Sequence, residues 1–173
     1  MAGGIQFGTE DGEVEIFKSL NANVVEQMSD LGDGLTVHTM LGRGVYLIDV
    51  FDKENGNTVP DTRVSTSHAT PIEEMPLPTA NGTWQASVAV RDSAGVFAEE
   101  QSYSWGPETS LTLGDCDYTA IKGQIRYESD TDWFEEEVMY LPDVGITLLL
   151  AYTDEFEGRV DYPPHVSAQA MGQ

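Results

Sequence analysis

Carboxylate side chains are the residues of this sequence that could most readily do chemistry. Glu135-Glu136-Glu137 and Glu99-Glu100 place acids side by side, and paired carboxyl groups are what general acid–base catalysis uses. Neighbouring residues of a β-strand, however, point to opposite faces of the sheet. We therefore predict that these acids form no catalytic pair and lie instead on a charged surface or along a sheet edge guarded against aggregation.

Oxygen ligands for a cation are suggested by one short segment. Asp52-Lys53-Glu54-Asn55-Gly56-Asn57 alternates oxygen-bearing side chains and contains a glycine, as a calcium-binding loop does. No bidentate glutamate follows at the twelfth position, so the match is partial. Asp52, Glu54 and Asn55 are the candidate metal ligands, and we expect no cofactor beyond weakly bound cations.

The three histidines, His38, His68 and His165, stand at no spacing that would bring two of them to one metal ion. His38 lies on the polar side of an alternating segment, His68 in a proline-rich stretch and His165 near the end of the chain. Each is expected to be exposed or to make a single hydrogen bond.

Nucleophilic catalysis has no sequence signature here. Ser65, Ser67 and Ser104 lie in no nucleophile-elbow context. Cys116 is the only cysteine, so no internal disulfide is possible, and it has no basic neighbour that would activate its thiol. We therefore predict no catalytic residues and a protein that is not an enzyme.

Charge is the strongest compositional signal. The chain carries 30 acidic against 8 basic residues, for a net charge of −22. Without a basic stripe, it is not expected to bind nucleic acid directly or to approach an anionic membrane. Like charges oppose compaction unless salt screens them, and the Debye length falls from about 10 Å at ~0.1 M salt to about 3 Å at ~1 M. The composition therefore indicates adaptation to high salt.

The clearest secondary-structure pattern in the sequence lies between Gly44 and Trp105. Two similar units, Val45–Asp52 and Trp84–Asp92, each run extended into a glycine turn and start again. Leu35–Leu41 forms a hairpin with the first unit and Phe97–Trp105 with the second. This rhythm predicts a mainly β protein, an immunoglobulin-like antiparallel β-sandwich in a single domain of residues 13–160.

One helix is expected near the N-terminus of that domain. Ile16, Leu20, Val24, Met28 and Leu31 recur every three to four residues across 15–31, which is typical of an amphipathic helix. The alternative interpretation of the same stretch is a strand over Glu13–Leu20. With the helix in place, an α+β fold is the alternative class.

The remaining segments are predicted more simply. Residues 68–80 carry three prolines and form a surface loop, whereas Asp132–Leu141 fits either a helix or a strand. Gly145–Tyr152 is almost wholly apolar and should be a central strand buried on both faces. Residues 1–12 are expected to be an N-terminal arm or short edge strand and 161–173 a C-terminal tail.

The first functional hypothesis is a non-enzymatic structural or assembly subunit, such as a capsid, neck or tail component of a virion or a cell-surface component. The terminal segments have the composition of arms that could dock on neighbours, so the expected partners are other copies of the chain or other assembly subunits. No run of 18 apolar residues and no basic-then-apolar N-terminus is present, so we expect a soluble virion, extracellular or cell-surface protein without membrane insertion.

Two other hypotheses remain open. An immunoglobulin-like extracellular or periplasmic module that binds a metal or a ligand would draw on the histidines and on Met28, Met40, Met75 and Met139. An acidic inhibitor that mimics DNA would need its carboxylates arranged at phosphate-like spacing, which a linear sequence does not reveal.

Overall fold

The fold is built from one continuous antiparallel sheet. A computed structural model describes residues 3–172, and most of them lie in fourteen strands. The strands are β1 (Ile5–Thr9), β2 (Val14–Asn21), β3 (Val24–Gly32), β4 (Leu35–Gly42), β5 (Tyr46–Glu54), β6 (Asn57–Thr58), β7 (Val64–His68), β8 (Thr83–Arg91), β9 (Val96–Leu113), β10 (Cys116–Glu128), β11 (Trp133–Leu141), β12 (Ile146–Asp154), β13 (Gly158–Asp161) and β14 (His165–Ala170). Within residues 3–172 the only helix is a 3₁₀ turn at Ile72–Glu74. The mainly β prediction is therefore confirmed, and the α+β alternative is wrong.

Strands that follow each other in sequence also lie beside each other in the sheet. The order runs β13-β12-β11-β10-β9-β8-β7-β5-β4-β3-β2-β1-β14, with β6 paired to β5. Two of the connections are two-residue turns in which both residues have positive φ, Asp33-Gly34 and Asn55-Gly56, and the three-residue β4–β5 connection contains a third such pair, Arg43-Gly44. Such turns match the twist of the flanking strands, so local sequence sets much of the order.

The predicted helix over 15–31 is wrong, because this stretch forms the β2–β3 hairpin. A spacing of four residues fits a helical face, but it also keeps side chains on one face of a strand, since four is a multiple of two. The buried face is in fact the other one: Phe17 and Val25 are buried, whereas Leu20 is 54% exposed. The strand alternative over Glu13–Leu20 describes this segment correctly.

The two central hairpins are confirmed. β4 pairs with β5 and β8 pairs with β9 along their lengths. The ambiguous segment 132–141 is a strand, β11. The proline-rich segment 68–80 is a connection, as expected, and it also contributes to the core: Met75 is buried, and Pro76 accepts a hydrogen bond from the Tyr46 hydroxyl.

The sheet curls until its two ends come close. β13 and β14 are at opposite ends of the strand order, yet only residues 162–164 connect them, a span of at most about 14 Å. The tip of the β9–β10 hairpin also reaches the far end, where the Gly114 N–H donates to the Val166 carbonyl at 3.0 Å. The strands therefore enclose an interior.

Both ends of the described chain belong to this sheet. β1 lies between β2 and β14, so the segments expected to be an arm, 1–12, and a tail, 161–173, pair with each other. Residues 1, 2 and 173 of those segments lie outside the described part of the chain. The pairing places Phe7 of β1 in the core, fully buried.

Strands β10–β12 are covered on both faces. One core cluster contains Ile121 and Tyr140 with Val45 and Tyr46 from β5 and the turn before it. The other contains their sequence neighbours, Ala120 and Leu141, with strands at the N-terminal end of the chain. Because successive side chains alternate faces, both faces of these strands are buried. In β12, Ile146, Thr147 and Leu148 are buried in succession, which confirms burial on both faces for the first half of the segment predicted over 145–152. The strand is not central in the sheet, because it lies next to the edge strand β13.

Candidate functional site

A cavity of about 320 Å³ lies between strands β2–β5 on one side and β10–β12 on the other. Eight of its seventeen lining residues are aliphatic, and exposed side chains such as Leu31 are among them. The aliphatic lining residues are Leu31, Val37, Leu41, Val45, Leu47, Ile125, Val138 and Leu149. Ligand sites in proteins are concave and combine apolar walls with precisely placed polar groups, and this cavity joins aliphatic side chains to a larger polar share than is usual.

The alternation of strand side chains explains which residues reach the cavity. Gln27, Ser29 and Leu31 occupy successive inward positions of β3, and Glu136 and Val138 do so on β11. Because the period is two, a polar residue at an inward position is carried to the same interior as the aliphatic ones. The polar lining residues are Glu13, Glu15, Gln27, Ser29, Thr39, Tyr127, Glu136, Thr147 and Tyr162.

Glu136 is the most perturbed acid in the cavity. Its carboxylate accepts a hydrogen bond from the Tyr127 hydroxyl at 3.0 Å. Burial raises the pKa of Glu136 to about 7, and the nearby Glu99 carboxylate adds to the rise, while the Tyr127 hydrogen bond opposes it. The carboxyl group is crowded by protein atoms, yet it keeps some accessible surface because it borders the cavity. It is therefore poised to exchange a proton near neutral pH.

A second polar network continues on the same interior side. The Tyr103 hydroxyl donates to Gln101 Oε1 at 2.7 Å, and Gln101 Nε2 donates to Glu99 Oε1 at 2.8 Å. Glu99 is buried, and burial raises its pKa as well. Two acids, Glu99 and Glu136, thus lie in the interior without a basic hydrogen-bond partner among residues 3–172.

Glu15 is held by neighbouring side chains. His165 Nε2 lies 2.8 Å from Glu15 Oε2, and Gln27 Nε2 donates to Glu15 Oε1 at 3.1 Å. These contacts link β2 to β14 across the intervening β1 and to β3. The oxygens of Glu15 are therefore largely engaged in holding the sheet together.

Thr147 supplies a polar group without a partner. Its side chain lines the cavity and the residue is 8% exposed. The Oγ1 atom is buried and has no hydrogen-bond partner among the residues that the structure describes. A buried hydroxyl without a partner costs about 1–3 kcal/mol, and because Oγ1 is itself buried, a molecule in the cavity does not reach it.

The candidate metal ligands are not brought into a site. Asp52 and Glu54 end β5, and Asn55 begins the turn that follows, with φ 50°. The Asp52 N–H donates to Thr62 Oγ1 at 3.0 Å, which ties the strand to its own connection. Between residues 3 and 172, no group of three or more histidine, cysteine or acidic side chains is arranged to hold a metal ion.

The three histidines lie apart and have separate partners. His38 is buried, stacks on Phe51 with ring centroids 5.4 Å apart, and has Glu26 Oε1 2.8 Å from Nδ1. His68 Nε2 lies 3.1 Å from the Leu47 carbonyl oxygen. The expectation of an exposed or singly bonded side chain is wrong for His38, because β3 and β5 flank it and Thr36 contacts its second nitrogen.

The adjacent acids separate to opposite faces, as the strand geometry predicts. Glu136 points to the interior, while Glu137 contacts Arg159 and lies 2.6 Å from Lys122 Nζ on the outer face. Glu99 is buried and Glu100 is exposed. The expectation that all of these acids lie on the surface is wrong for Glu99 and Glu136. The inward direction of the Glu136 side chain could have been predicted from its position two residues before Val138, on the apolar face of the strand.

No helix in the described part of the chain has the length and apolar character needed to cross a membrane. Comparison of the chain with protein-family models, with curated proteins and with solved structures finds no match.

Proposed function

We propose that the protein binds a small molecule with an apolar body inside the cavity between β2–β5 and β10–β12. The observation that carries this proposal is a cavity of about 320 Å³ between facing strands, with eight aliphatic side chains in its lining. The volume is near the lower end of the roughly 300–1,000 Å³ found for ligand pockets, so the guest is a small one. The proposal corresponds to the ligand-binding module considered from the sequence.

The proposal includes the layered arrangement expected from the sequence. Strands β2–β5 form one layer and β10–β12 the facing one, with the ligand between them as in a sandwich. The layers belong to one sheet with consecutive strand order, so the connections are not the Greek-key connections of an immunoglobulin domain. A continuous curled sheet suits ligand binding because both walls are held by the same hydrogen-bond ladder.

Binding without catalysis is the simplest use of this cavity. Ser29, Thr39 and Thr147 are the aliphatic hydroxyls in the lining, and none has a base within hydrogen-bonding distance in the described structure. An activated nucleophile needs such a base and a third group that orients it. We therefore propose a carrier or sensor role.

Isothermal titration calorimetry with 1-octanol tests the proposal. Wild-type protein is expected to bind one molecule, and Thr39→Phe, which places a ring in the cavity, is expected to abolish binding. Thr58→Phe on the exposed β6 is the matched control and should bind normally. If far-UV circular dichroism shows that Thr39→Phe does not fold, Thr39→Leu replaces it. No binding to wild type, or undiminished binding to a folded Thr39 variant, overturns the proposal.

A second candidate function is assembly with other copies of the chain, in a virion or at a cell surface. The specific observation is the edge strand β13, which among residues 3–172 pairs only with β12. Phe156 beside it is 80% exposed and Val160 within it is 42% exposed. An unpaired edge with exposed apolar side chains is suited to accept a strand from another chain.

Light scattering after size exclusion in molar salt tests this second candidate. An oligomer that dissociates on Phe156→Asp supports assembly through the β13 edge. A monomer at all concentrations overturns it. Binding of 1-octanol by that monomer would leave the ligand-binding proposal in place.

A further inference from the structure

Glu136 places an ionisable group in the wall of the cavity, among apolar side chains. Its cross-strand partner on β10, Ile125, is buried, and so is Val138, the next inward residue of β11. Both of these residues line the cavity together with Glu136. Glu136 itself is only partly buried. A molecule that fills this part of the cavity therefore contacts the carboxyl group and displaces water from it.

The wall holds this carboxyl group without supplying a cation to it. The Tyr127 hydroxyl donates to Glu136 Oε2 at 3.0 Å, and among the described residues no lysine or arginine lines the cavity. Lys122 and Arg159 contact Glu137 on the outer face of the sheet instead. An ionised Glu136 therefore depends on water to stabilise its charge.

The other titratable groups around Glu136 are acids and phenols, together with one histidine. They are Glu99 and Tyr103 of β9, Tyr127 of β10, Tyr152 of β12, Glu13 and Glu15 at the start of β2, and Tyr162 after β13. The histidine is His165 of β14, which contacts the wall through Glu15, with Nε2 2.8 Å from Glu15 Oε2. Ionisation of Glu136 therefore adds negative charge to a region that is already acidic.

Resting on the proposed ligand-binding function, we propose that the cavity holds a neutral apolar molecule while Glu136 carries a proton and releases that molecule when Glu136 ionises. A neutral carboxyl group loses its water at modest cost, whereas a carboxylate that loses water without gaining a cation is strongly destabilised. Binding of an apolar molecule is thus coupled to uptake of a proton by Glu136. The protein loads at mildly acidic pH and unloads at alkaline pH.

The direction of the pH dependence follows from the position of the group. Burial raises the pKa of Glu136 to about 7 in the free protein, with Glu99 adding to the rise and the Tyr127 hydrogen bond opposing it. An apolar molecule against the carboxyl group removes more water and raises the pKa further. Affinity is then highest below the pKa of the free protein and falls as pH rises past it. A further rise of about one pKa unit makes the affinity about tenfold lower at alkaline pH.

Isothermal titration calorimetry with 1-octanol at pH 5.5 and pH 9 tests the coupling, in ~1 M NaCl so that changes in the net charge of the chain are screened. We expect wild type to bind about tenfold more tightly at pH 5.5. Titrations at pH 7 in two buffers of different ionisation enthalpy should show uptake of about 0.4 proton for each octanol bound. This second measurement involves no change of pH, so a loss of stability at pH 9 does not affect it.

Two variants of adjacent acids locate the effect. Glu136→Gln should bind 1-octanol equally at both pH values and take up no proton at pH 7, because its amide does not ionise. Glu135→Gln, on the opposite face of β11, should keep both the tenfold difference and the proton uptake of wild type. Both variants retain the three histidines, whose imidazoles are the other groups that titrate in this range.

The outcomes separate the coupling from the binding function. If 1-octanol does not bind wild type at pH 5.5, the proposed function itself fails. If 1-octanol binds equally at both pH values and no proton is taken up, the coupling is overturned and the binding function stands. A pH dependence that survives in Glu136→Gln, or that Glu135→Gln also abolishes, overturns the assignment of the proton to Glu136.

Discussion

The carboxyl groups of Glu136 and Glu137 lie on opposite faces of β11, and their environments shift their pKa values in opposite directions. Glu136 faces the cavity, where burial raises its pKa to about 7. Glu137 faces outward, where hydrogen bonds from Arg159 and then Lys122 lower its pKa to about 2. Folding therefore favours the neutral form of Glu136 and the ionised form of Glu137, although the two residues are adjacent on one strand.

Replacing these neighbours by glutamine should change stability in opposite directions at pH 8. The pKa of Glu136 is higher in the folded than in the unfolded protein, so wild type loses stability as pH rises from about 4.5 to about 7. Glu136→Gln escapes that loss and should gain up to about 3 kcal/mol in unfolding free energy at pH 8, with almost no gain at pH 4.5.

Glu137→Gln serves as the matched comparison. The pKa of Glu137 is lowered on folding, so its contribution is present above about pH 4.5 and is lost as pH falls towards about 2. Its partners are partly exposed, so the variant should lose only about 1 kcal/mol at pH 8, and less in high salt. Urea unfolding from pH 4.5 to 8 measures both variants. A loss of stability in Glu136→Gln at pH 8 would show that folding does not bury the Glu136 carboxyl group.

Removal of the Thr147 hydroxyl should stabilise the protein and leave ligand binding unchanged. Thr147→Val replaces a buried hydroxyl that has no partner by a methyl group, which should add about 1 kcal/mol to the unfolding free energy. The same variant should bind 1-octanol as wild type does, because the buried Oγ1 is not reached from the cavity. Urea unfolding measures the gain and calorimetry the binding.

Thr66→Val is the matched comparison for that prediction. Thr66 is also buried with an unpartnered hydroxyl, but it does not line the cavity. It should show a similar gain in stability. A loss of stability in either valine variant would mean that the replaced hydroxyl has a hydrogen-bond partner.

The β4–β5 turn and the β11–β12 turn should tolerate no added side chain where they meet. A Cβ on Gly44 would lie 1.9 Å from the Gly145 carbonyl oxygen, and Gly44 has φ +73°. Gly44→Ala should therefore cost more than about 4 kcal/mol, a size that single substitutions reach only through a defined structural defect.

Gly56→Ala separates the steric effect from the backbone effect. Gly56 has φ +82° but no atom within 4 Å of an added Cβ, so only the left-handed conformation is penalised, by roughly 1 kcal/mol. Chemical denaturation compares the two variants. Similar losses would indicate that the two turns are not in contact.

Salt should stabilise the wild-type protein strongly. A net charge of −22 repels itself across the folded surface, and molar salt screens that repulsion at distances beyond about 3 Å. Thermal unfolding followed by far-UV circular dichroism should show a midpoint that rises continuously from dilute buffer to molar NaCl. An unchanged midpoint would contradict adaptation to high salt.

Much of the sheet could be predicted from the sequence because its hairpins are formed by residues that lie close together in the chain. Tight-turn pairs such as Asn55-Gly56 and alternating strands such as Leu35–Leu41 fix neighbouring hairpins within a few residues. The prediction of a helix for the β2–β3 hairpin is wrong because the same spacing places four apolar residues on one face of a helix and on one face of a strand. These residues are Ile16, Leu20, Val24 and Met28. Only tertiary packing, which buries Phe17 and Val25, selects between them.

The cavity could not be predicted in the same way. It depends on which strands face each other across the interior and on how completely side chains such as Val45 and Leu149 fill the space, and neither is a local property. An acid such as Glu136 is usually solvent-exposed, so composition favours the surface. Its inward position follows only once the register of β11 with Val138 and Tyr140 is known.

The most direct measurement of the central claim is an isotope-filtered nuclear Overhauser experiment on ¹³C-labelled protein saturated with unlabelled 1-octanol. It detects which side chains touch the bound molecule. We predict cross-peaks from the octanol methylenes to the methyl groups of Val45, Val138 and Leu149. Cross-peaks confined to exposed side chains such as Leu20 and Val166, or none at all, would contradict the account.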